Sequence, residues 1–290
     1  MNTAAGMQQL RHAACPALLL SPYCLSLDGA TRDCHSFSRT APGQARESLD
    51  RSVCWPASWV AKEIPDARLL SLEYAAPASG WEGESLPFRH TVHQLMEKLA
   101  AAGVGQRPVI FVCHSMGGLV VKDLLVSAKA QKDERLRRLN TNAAGAVFYS
   151  VPHAGSRLAD WGWYLRYIGG APAKHVQQLK TGPHLEELNA AVRAMCKSGQ
   201  LPVLSFSEGQ PTKLGYIPTH VVPHESAYPG YGDFVVLHDH DHISVCKPSD
   251  QADPAYAKLM AFLHARVRTL RKERADAAAS SMDHMEAATM

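Results

Sequence analysis

Apolar runs and helically spaced apolar residues alternate along the middle of the chain. Val109–Cys113 is an unbroken apolar run, which is typical of a parallel strand buried on both faces. Ser115 and Met116 come shortly afterwards, then two glycines, and then apolar residues at helical spacing, namely Leu119, Val120, Leu124 and Leu125. The pattern predicts a strand, a tight turn with Ser115 at its apex, and a helix.

The same patterns place further elements on both sides of this unit. Short apolar runs predict strands at Ala17–Leu20, Ala67–Tyr74, Ala143–Val151 and Pro202–Phe206, and another strand beginning at Val221. Helical spacing, or a proline in the first turn, predicts helices at Cys54–Lys62, Phe88–Leu99 and Lys258–Lys272. We interpret the charged stretch Lys129–Arg138 as the solvated end of the helix after Ser115. The alternation predicts an α/β fold, with a mostly parallel sheet and helices on both faces.

The turn at Ser115 carries the main chemical signal. Cys-His-Ser-Met-Gly, at 113–117, stands in for the G-x-S-x-G nucleophile elbow of α/β-hydrolases. The strained turn lifts the Ser115 hydroxyl clear of the sheet, so the residues two before and two after it must be small, and Cys113 is small enough. A lone S-x-G-G is common in loops, but the strand before it and the helix after it favour the elbow. The sequence therefore predicts an α/β-hydrolase fold, with Ser115 as nucleophile and the Met116 N–H as one oxyanion donor.

An elbow serine needs a histidine, which takes its proton and returns it to the leaving group. In this fold the partners follow the serine in the order Ser…Asp/Glu…His. His242 is the natural candidate, because it follows the apolar run Phe234–Leu237 and precedes the last predicted helix. His238 and His240 are its rivals.

The carboxylate of the triad is expected after the strand that follows an insertion at 153–200. This position points to Glu208, while Glu225 and Asp233 remain alternatives on strand order alone. A carboxylate there would fix the tautomer of the histidine and stabilise the imidazolium that forms.

The stretch 238–242, His-Asp-His-Asp-His, also raises the possibility of a metal site. On a strand its three histidines would share one face, and the spacing is close to a metallo-hydrolase signature. It is one residue short, however, and it lies near the C-terminus instead of after an early strand. We therefore expect no metal and no cofactor.

The chain divides into three parts. Residues 1–50 form an irregular segment in which the first strand is expected to be truncated, 52–272 form the hydrolase domain, and 275–290 form a disordered tail. The insertion at 153–200 contains Trp161, Trp163, Tyr164 and Tyr167, and closes with an amphipathic helix carrying Leu185, Leu188, Val192 and Met195. It is expected to be a helical cap whose apolar lining suits an acyl chain, although its aromatics could equally pack against the sheet.

Composition narrows the class of protein. With 46% hydrophobic residues, the composition is that of an ordinary globular protein, and the net charge of +3 is too small to indicate nucleic-acid binding. Seven scattered cysteines without a C-x-x-C pair argue for free thiols in a reducing, intracellular compartment. The apolar stretches are too short to span a membrane.

Several segments together resemble the lipase-like domain of the serine active site-containing protein 1 family. They are CWPASWVAKEIPDARLLSLEY, LAAAGVGQRPVIFVCHSMGGLVVKDLL, VFYSVPHAGSRLADW, HVVPHESAYPGYGD and DHISVCKP, and they run in the family's order from Ser52 to Leu263. Ser115 and His242 fall on the family's elbow serine and on its histidine before the I/V-C-K-P stretch.

The resemblance implies a lipid substrate and peripheral contact with a membrane. In the family this means phosphatidylglycerol remodelling, with effects on cardiolipin and cholesterol trafficking, at contacts between endoplasmic reticulum and mitochondria. The chain departs from the family near Leu20, where Ser21-Pro22 replaces a His-Gly whose loop would supply the second oxyanion N–H. We therefore expect either that the chain is a truncated or mis-spliced version of the family's protein, or that other groups form its oxyanion hole.

Overall fold

The computed structural model describes residues 17–20, 54–72, 86–154, 183–214 and 217–289. Six parallel strands form one sheet in the order β2-β1-β3-β4-β5-β8. Their bounds are β1 Ala17–Leu20, β2 Arg68–Ser71, β3 Val109–His114, β4 Ala143–Tyr149, β5 Val203–Glu208 and β8 Asp233–Leu237. A separate antiparallel hairpin pairs β6 (Thr212–Leu214) with β7 (Ile217–Thr219).

Helices flank the sheet. A π-helical turn at Pro56–Val60 leads into α1 (Ala61–Glu63). The others are α2 Leu86–Ala101, α3 Gly117–Lys129, α4 Glu134–Thr141, α5 Pro183–Lys197, α6 His224–Ala227 and α7 Pro254–Thr289. None of the helices in the described part of the chain offers the length of apolar sequence that a membrane crossing requires.

The alternation of side chains along β3 divides the core into two layers. Phe111 packs with the apolar faces of α2, α3 and α5. Val112, one residue further, packs on the opposite face with Trp55 and the first half of α7. All six β3 side chains are buried, and burial of each of its Val, Ile and Phe side chains stabilises the fold by about 1.5–3 kcal/mol. The predicted parallel sheet with helices on both faces is confirmed.

Three predicted elements differ from the structure. Val221 and Val222 begin no strand; they lie in a buried bend between β7 and α6. The charged stretch after α3 contains a separate helix, α4, whose first turn is capped because the Asp133 side chain accepts a hydrogen bond from the Arg135 N–H. The last helix continues to Thr289, where a disordered tail from 275 was predicted, because the alanine-rich sequence favours helix.

The predicted cap falls mostly outside the described residues, since 155–182 are not among them. Its closing helix, α5, is described and lies against α3. Leu188, Val192 and Met195 are buried there in the same core layer as Phe111. The apolar stripe of α5 therefore belongs to the core of the domain and does not line a cap.

The start of α3 packs tightly against the loop after β4. A Cβ atom added at Gly118 would lie 2.4 and 2.7 Å from the two methyl carbons of Val151 and 3.1 Å from Cδ1 of Phe148. Contacts this short force one of the neighbours to move. Glycine at 118 therefore permits the close approach of α3 to the end of β4.

We expect Gly118→Ala to destabilise the fold by about 1–3 kcal/mol, the usual cost of overpacking. Denaturant unfolding measures the change. Val151→Ala removes both clashing methyl groups, so adding it to Gly118→Ala should recover part of the loss, and the pair should be non-additive. Strictly additive effects would mean that the two residues are not in contact.

Candidate active site

Ser115 lies on the sharp turn between β3 and α3. Its φ is +55°, a left-handed conformation that is uncommon outside glycine and is strained for serine. The Ser115 N–H donates to the carbonyl of Tyr149 at 2.9 Å, which ties the turn to the end of β4. Cys113 is fully buried beneath it, and burial raises the pKa of its thiol, which therefore stays neutral. The structure thus places the serine as the elbow motif predicts.

Ser115, His242 and Glu208 form one continuous chain of hydrogen bonds. His242 Nε2 lies 3.1 Å from Ser115 Oγ, and His242 Nδ1 lies 2.7 Å from Glu208 Oε2. Because a carboxylate only accepts, Nδ1 carries the proton and Nε2 is left as the acceptor for the serine hydroxyl. The arrangement can take a proton from Ser115 and stabilise the resulting imidazolium.

Burial lowers the pKa of His242, while its hydrogen bond to Glu208 acts in the opposite direction. The net pKa lies below the ordinary value, so the imidazole is neutral near pH 7. A neutral imidazole is the form that can accept the serine proton.

Glu208 is fully buried at the end of β5. Its second oxygen, Oε1, accepts from the backbone N–H groups of Val221 at 2.5 Å and Val222 at 3.1 Å. These donors orient the carboxylate and compensate its removal from water. Sequence reasoning missed them, because a backbone N–H leaves no signature in the residue type.

The backbone of His242 is held on both sides. Its N–H donates to Thr212 Oγ1 at 3.0 Å, on the short hairpin. Its carbonyl oxygen lies 2.8 Å from Nε2 of His114, which precedes Ser115 on β3. The imidazole is therefore fixed by its backbone as well as by its ring contacts.

The rival residues lie elsewhere. His240 Nε2 is 3.0 Å from Asp253 Oδ1, at the start of α7, and His238 follows the last residue of β8. Glu225 is exposed on α6. Asp233 begins β8 opposite Leu204, at the far end of the strand from the Glu208–Leu237 pair.

The alternating histidines do not share a strand face. β8 ends at Leu237, before His238, and the residues that follow form turns. Within the described ranges, no group of three or more His, Cys, Asp or Glu side chains has the arrangement to hold a metal ion. The premise of the metal hypothesis, a strand through 238–242, is wrong.

One candidate oxyanion donor, the Met116 N–H, lies at the start of α3 beside Ser115. Met116 occupies the N-cap position of α3, where a backbone N–H has no intrahelical partner and the helix dipole favours negative charge. β1 pairs with β3 with Leu20 opposite Val112, so the chain leaves β1 at the same edge as Ser115. Ser21 and Pro22 follow directly and lie outside the described residues.

A second buried polar cluster surrounds Lys122, in the second turn of α3. Lys122 is fully buried, with its Nζ 2.5 Å from His153 Nδ1 and 2.5 Å from Asn189 Oδ1. The rings of Phe148 and Tyr231 lie 5.5 and 5.8 Å from the same nitrogen. Burial lowers the pKa of the Lys122 amine to about 7, and burial followed by the Lys122 charge lowers the pKa of His153 well below its usual range.

This cluster predicts a pH-dependent stability. Between about pH 7 and 10 the unfolded chain protonates Lys122 and the native chain does not, so unfolding takes up a proton. The native state therefore gains stability as pH rises, by up to about 1.4 kcal/mol per pH unit. We expect Lys122→Met to flatten the rise of unfolding free energy measured between pH 7.5 and 9.5.

Lys129→Met, on the exposed end of α3, is the matched control and should leave the slope unchanged. If the unfolding free energy rises equally with pH in wild type and Lys122→Met, the Lys122 amine has the same pKa in the native and unfolded chains, and the prediction is wrong.

Within the described part of the chain, no disulfide joins the cysteines at 54, 113, 196 and 246. The cysteines at 15, 24 and 34, which also entered the expectation of free thiols, lie outside the described residues.

No family model matches the chain. The chain is 40% identical to Protein SERAC1 of Mus musculus over 238 residues, which is 79% of this chain and 36% of the mouse protein. The identity to Protein SERAC1 of Homo sapiens is 39% over 226 residues, which is 75% of this chain and 34% of the human protein. The identity to Protein SERAC1 of Danio rerio is 40% over 224 residues, which is 74% of this chain and 33% of the zebrafish protein. The chain spans about a third of the length of the curated relatives it matches.

Among solved structures, phospholipase PlaB from Legionella pneumophila in complex with thio-NAD is 12% identical, with a TM-score of 0.45 over 71% of this chain and 53% of that chain. A putative hydrolase from Agrobacterium vitis S4 is 15% identical, with a TM-score of 0.44 over 87% of this chain and 90% of that chain. The parallel sheet, the flanking helices and the serine turn of this chain give an α/β-hydrolase fold. On the identity to the vertebrate proteins, the chain belongs to the family of Protein SERAC1.

Proposed function

We propose that the chain is a serine ester hydrolase or acyltransferase of lipase type. The observation that carries this proposal is the unbroken hydrogen-bond chain from Ser115 Oγ through His242 to the buried Glu208. Each residue supplies what acyl transfer requires: a nucleophile, a neutral base and an orienting carboxylate. The site needs no cofactor for this chemistry.

The reaction proceeds through an acyl-enzyme. Ser115 Oγ attacks the carbonyl carbon of the ester while His242 Nε2 takes the hydroxyl proton, and the Met116 N–H stabilises the oxyanion. The intermediate collapses as His242 gives the proton to the departing alkoxide, which leaves as an alcohol. Water then releases the acid, or a second alcohol takes the acyl group, and in both cases Ser115 regains its proton.

A lipid ester, in particular a glycerophospholipid, is the substrate class that family membership favours. The aromatic-rich sequence of the insertion agrees with an acyl chain as ligand. By the same resemblance, we propose phosphatidylglycerol remodelling at contacts between endoplasmic reticulum and mitochondria, with peripheral attachment to the membrane.

Phosphatidylglycerol vesicles test the substrate class. The purified chain should release fatty acid, and with added lysophospholipid it should form a new diacyl product, both followed by mass spectrometry. Phosphatidylcholine vesicles serve as the control for headgroup preference. If a fluorophosphonate labels Ser115 but no glycerophospholipid yields product, the enzyme class stands and the lipid assignment is wrong.

A second candidate is a non-catalytic protein that keeps the fold for binding or scaffolding. The observation that favours it is the residue type after β1, because Pro22 has no N–H to offer to an oxyanion and Ser21-Pro22 replaces the family's His-Gly. Loss of one oxyanion donor costs about 10²–10³ in kcat. Slow labelling of Ser115 without turnover of any ester would support this candidate, and turnover at a few per second would refute it.

A further inference from the structure

His114 makes the contact on which the inference rests. It is the last residue of β3, directly before Ser115, and its side chain is 5% exposed. Its Nε2 lies 2.8 Å from the carbonyl oxygen of His242, and the two rings are 4.8 Å apart. A carbonyl oxygen only accepts, so Nε2 of His114 carries the proton in this contact.

His242 needs such support because no strand or helix holds it. It lies in the turns after β8, and its N–H depends on the Thr212 hydroxyl. Its carbonyl oxygen, in the next peptide group, is held by His114. These two bonds fix the Cα–Cβ direction from which the imidazole must reach both Ser115 and Glu208.

The position of His114 couples the two halves of the site. Ser115 moves with β3, and the side chain of the preceding residue holds the base, so one rigid strand sets the separation of Oγ and Nε2. Misplacing a catalytic group by about 1 Å can cost about 10² in rate.

We propose that His114 is a positioning residue that holds His242 at its working distance from Ser115, by donating its Nε2–H to the His242 carbonyl. This rests on the proposed function of the Ser115–His242 pair. His114 itself does not touch the reacting atoms.

Glutamine and asparagine separate this role from simple packing. A Gln side chain can place its amide nitrogen near the position of the imidazole Nε2, whereas Asn places it near Nδ1, too short to reach the carbonyl. Both are polar amides of similar size. We expect His114→Gln to stay within about fivefold of wild type and His114→Asn to fall by about 10² in kcat, with KM for a short activated ester unchanged.

The rate of fluorophosphonate labelling and the kcat–KM split measure the catalytic effect, and thermal unfolding checks that both variants fold. A folded His114→Asn that labels at the wild-type rate overturns the proposal, and so does equal loss in the Gln and Asn variants. Should wild type itself fail to label, the proposed function falls and a structural readout decides the role of His114. In crystal structures of the variants, the Ser115 Oγ–His242 Nε2 distance should stay near 3.1 Å in Gln and widen in Asn; an unchanged distance in Asn would refute the proposal.

Discussion

Ser115→Ala will abolish fluorophosphonate labelling and lower ester turnover by at least about 10⁴-fold in kcat. The loss is large because, in the proposed mechanism, this hydroxyl forms the acyl-enzyme and no other group of the site can replace it. Substrate binding does not depend on this oxygen, so KM should change little. The measurement is steady-state hydrolysis of an activated ester, together with gel-based labelling of the purified proteins.

Ser205→Ala is the matched control. Ser205 is a fully buried serine on β5, and no described group hydrogen-bonds to its hydroxyl. The Ser205→Ala variant should react with the fluorophosphonate and hydrolyse the ester at wild-type rates. Its circular dichroism spectrum should match that of Ser115→Ala. Labelling of Ser115→Ala at the wild-type level would mean that a different nucleophile carries the reaction.

Glu208→Gln is expected to lower kcat by about 10⁴ while preserving the fold. The amide keeps an oxygen for the Val221 and Val222 N–H groups, but its nitrogen cannot accept from His242 Nδ1. His242 must then place its proton on Nε2, where it can no longer accept one from Ser115. The imidazolium also loses its counter-charge in a buried site, which adds to the cost.

Glu225→Gln tests one of the alternative carboxylates that the sequence leaves as candidates beside Glu208. Glu225 lies exposed on α6, and its neutralisation should leave kcat within about twofold. A large loss in Glu225→Gln together with near-normal activity in Glu208→Gln would transfer the role of the acid to Glu225.

Local patterns were enough to predict most of the sheet. A parallel strand buried on both faces, such as β3, must be apolar at successive positions, so it stands out in the sequence. The Ser115 turn follows from small residues at fixed spacing, and the order of strands along the chain favours Glu208 while leaving Glu225 and Asp233 as alternatives. These features all lie within short stretches or depend only on sequence order.

Other features depend on contacts between distant segments. Val221 and Val222 looked like the start of a strand because they are β-branched, yet their backbone donors serve the Glu208 carboxylate. Lys122 lies in a helix where a charged residue is expected to face water, and only the packing of β4 and α5 shows that it is buried. The role of His114 likewise depends on a residue 128 positions away.

The length of α7 has a consequence for amide hydrogen exchange. Its 36 residues extend over about 54 Å, but the fully packed side chains, such as Leu259, Leu263 and Val267, lie in its first half. From Lys272 to Ser281 nearly every side chain is exposed, and an exposed stretch of helix that gains little from packing is only marginally stable in water. Amides before Val267 should therefore exchange only when the whole domain opens, whereas those beyond Leu270 should exchange through fraying from the end, progressively faster toward Thr289.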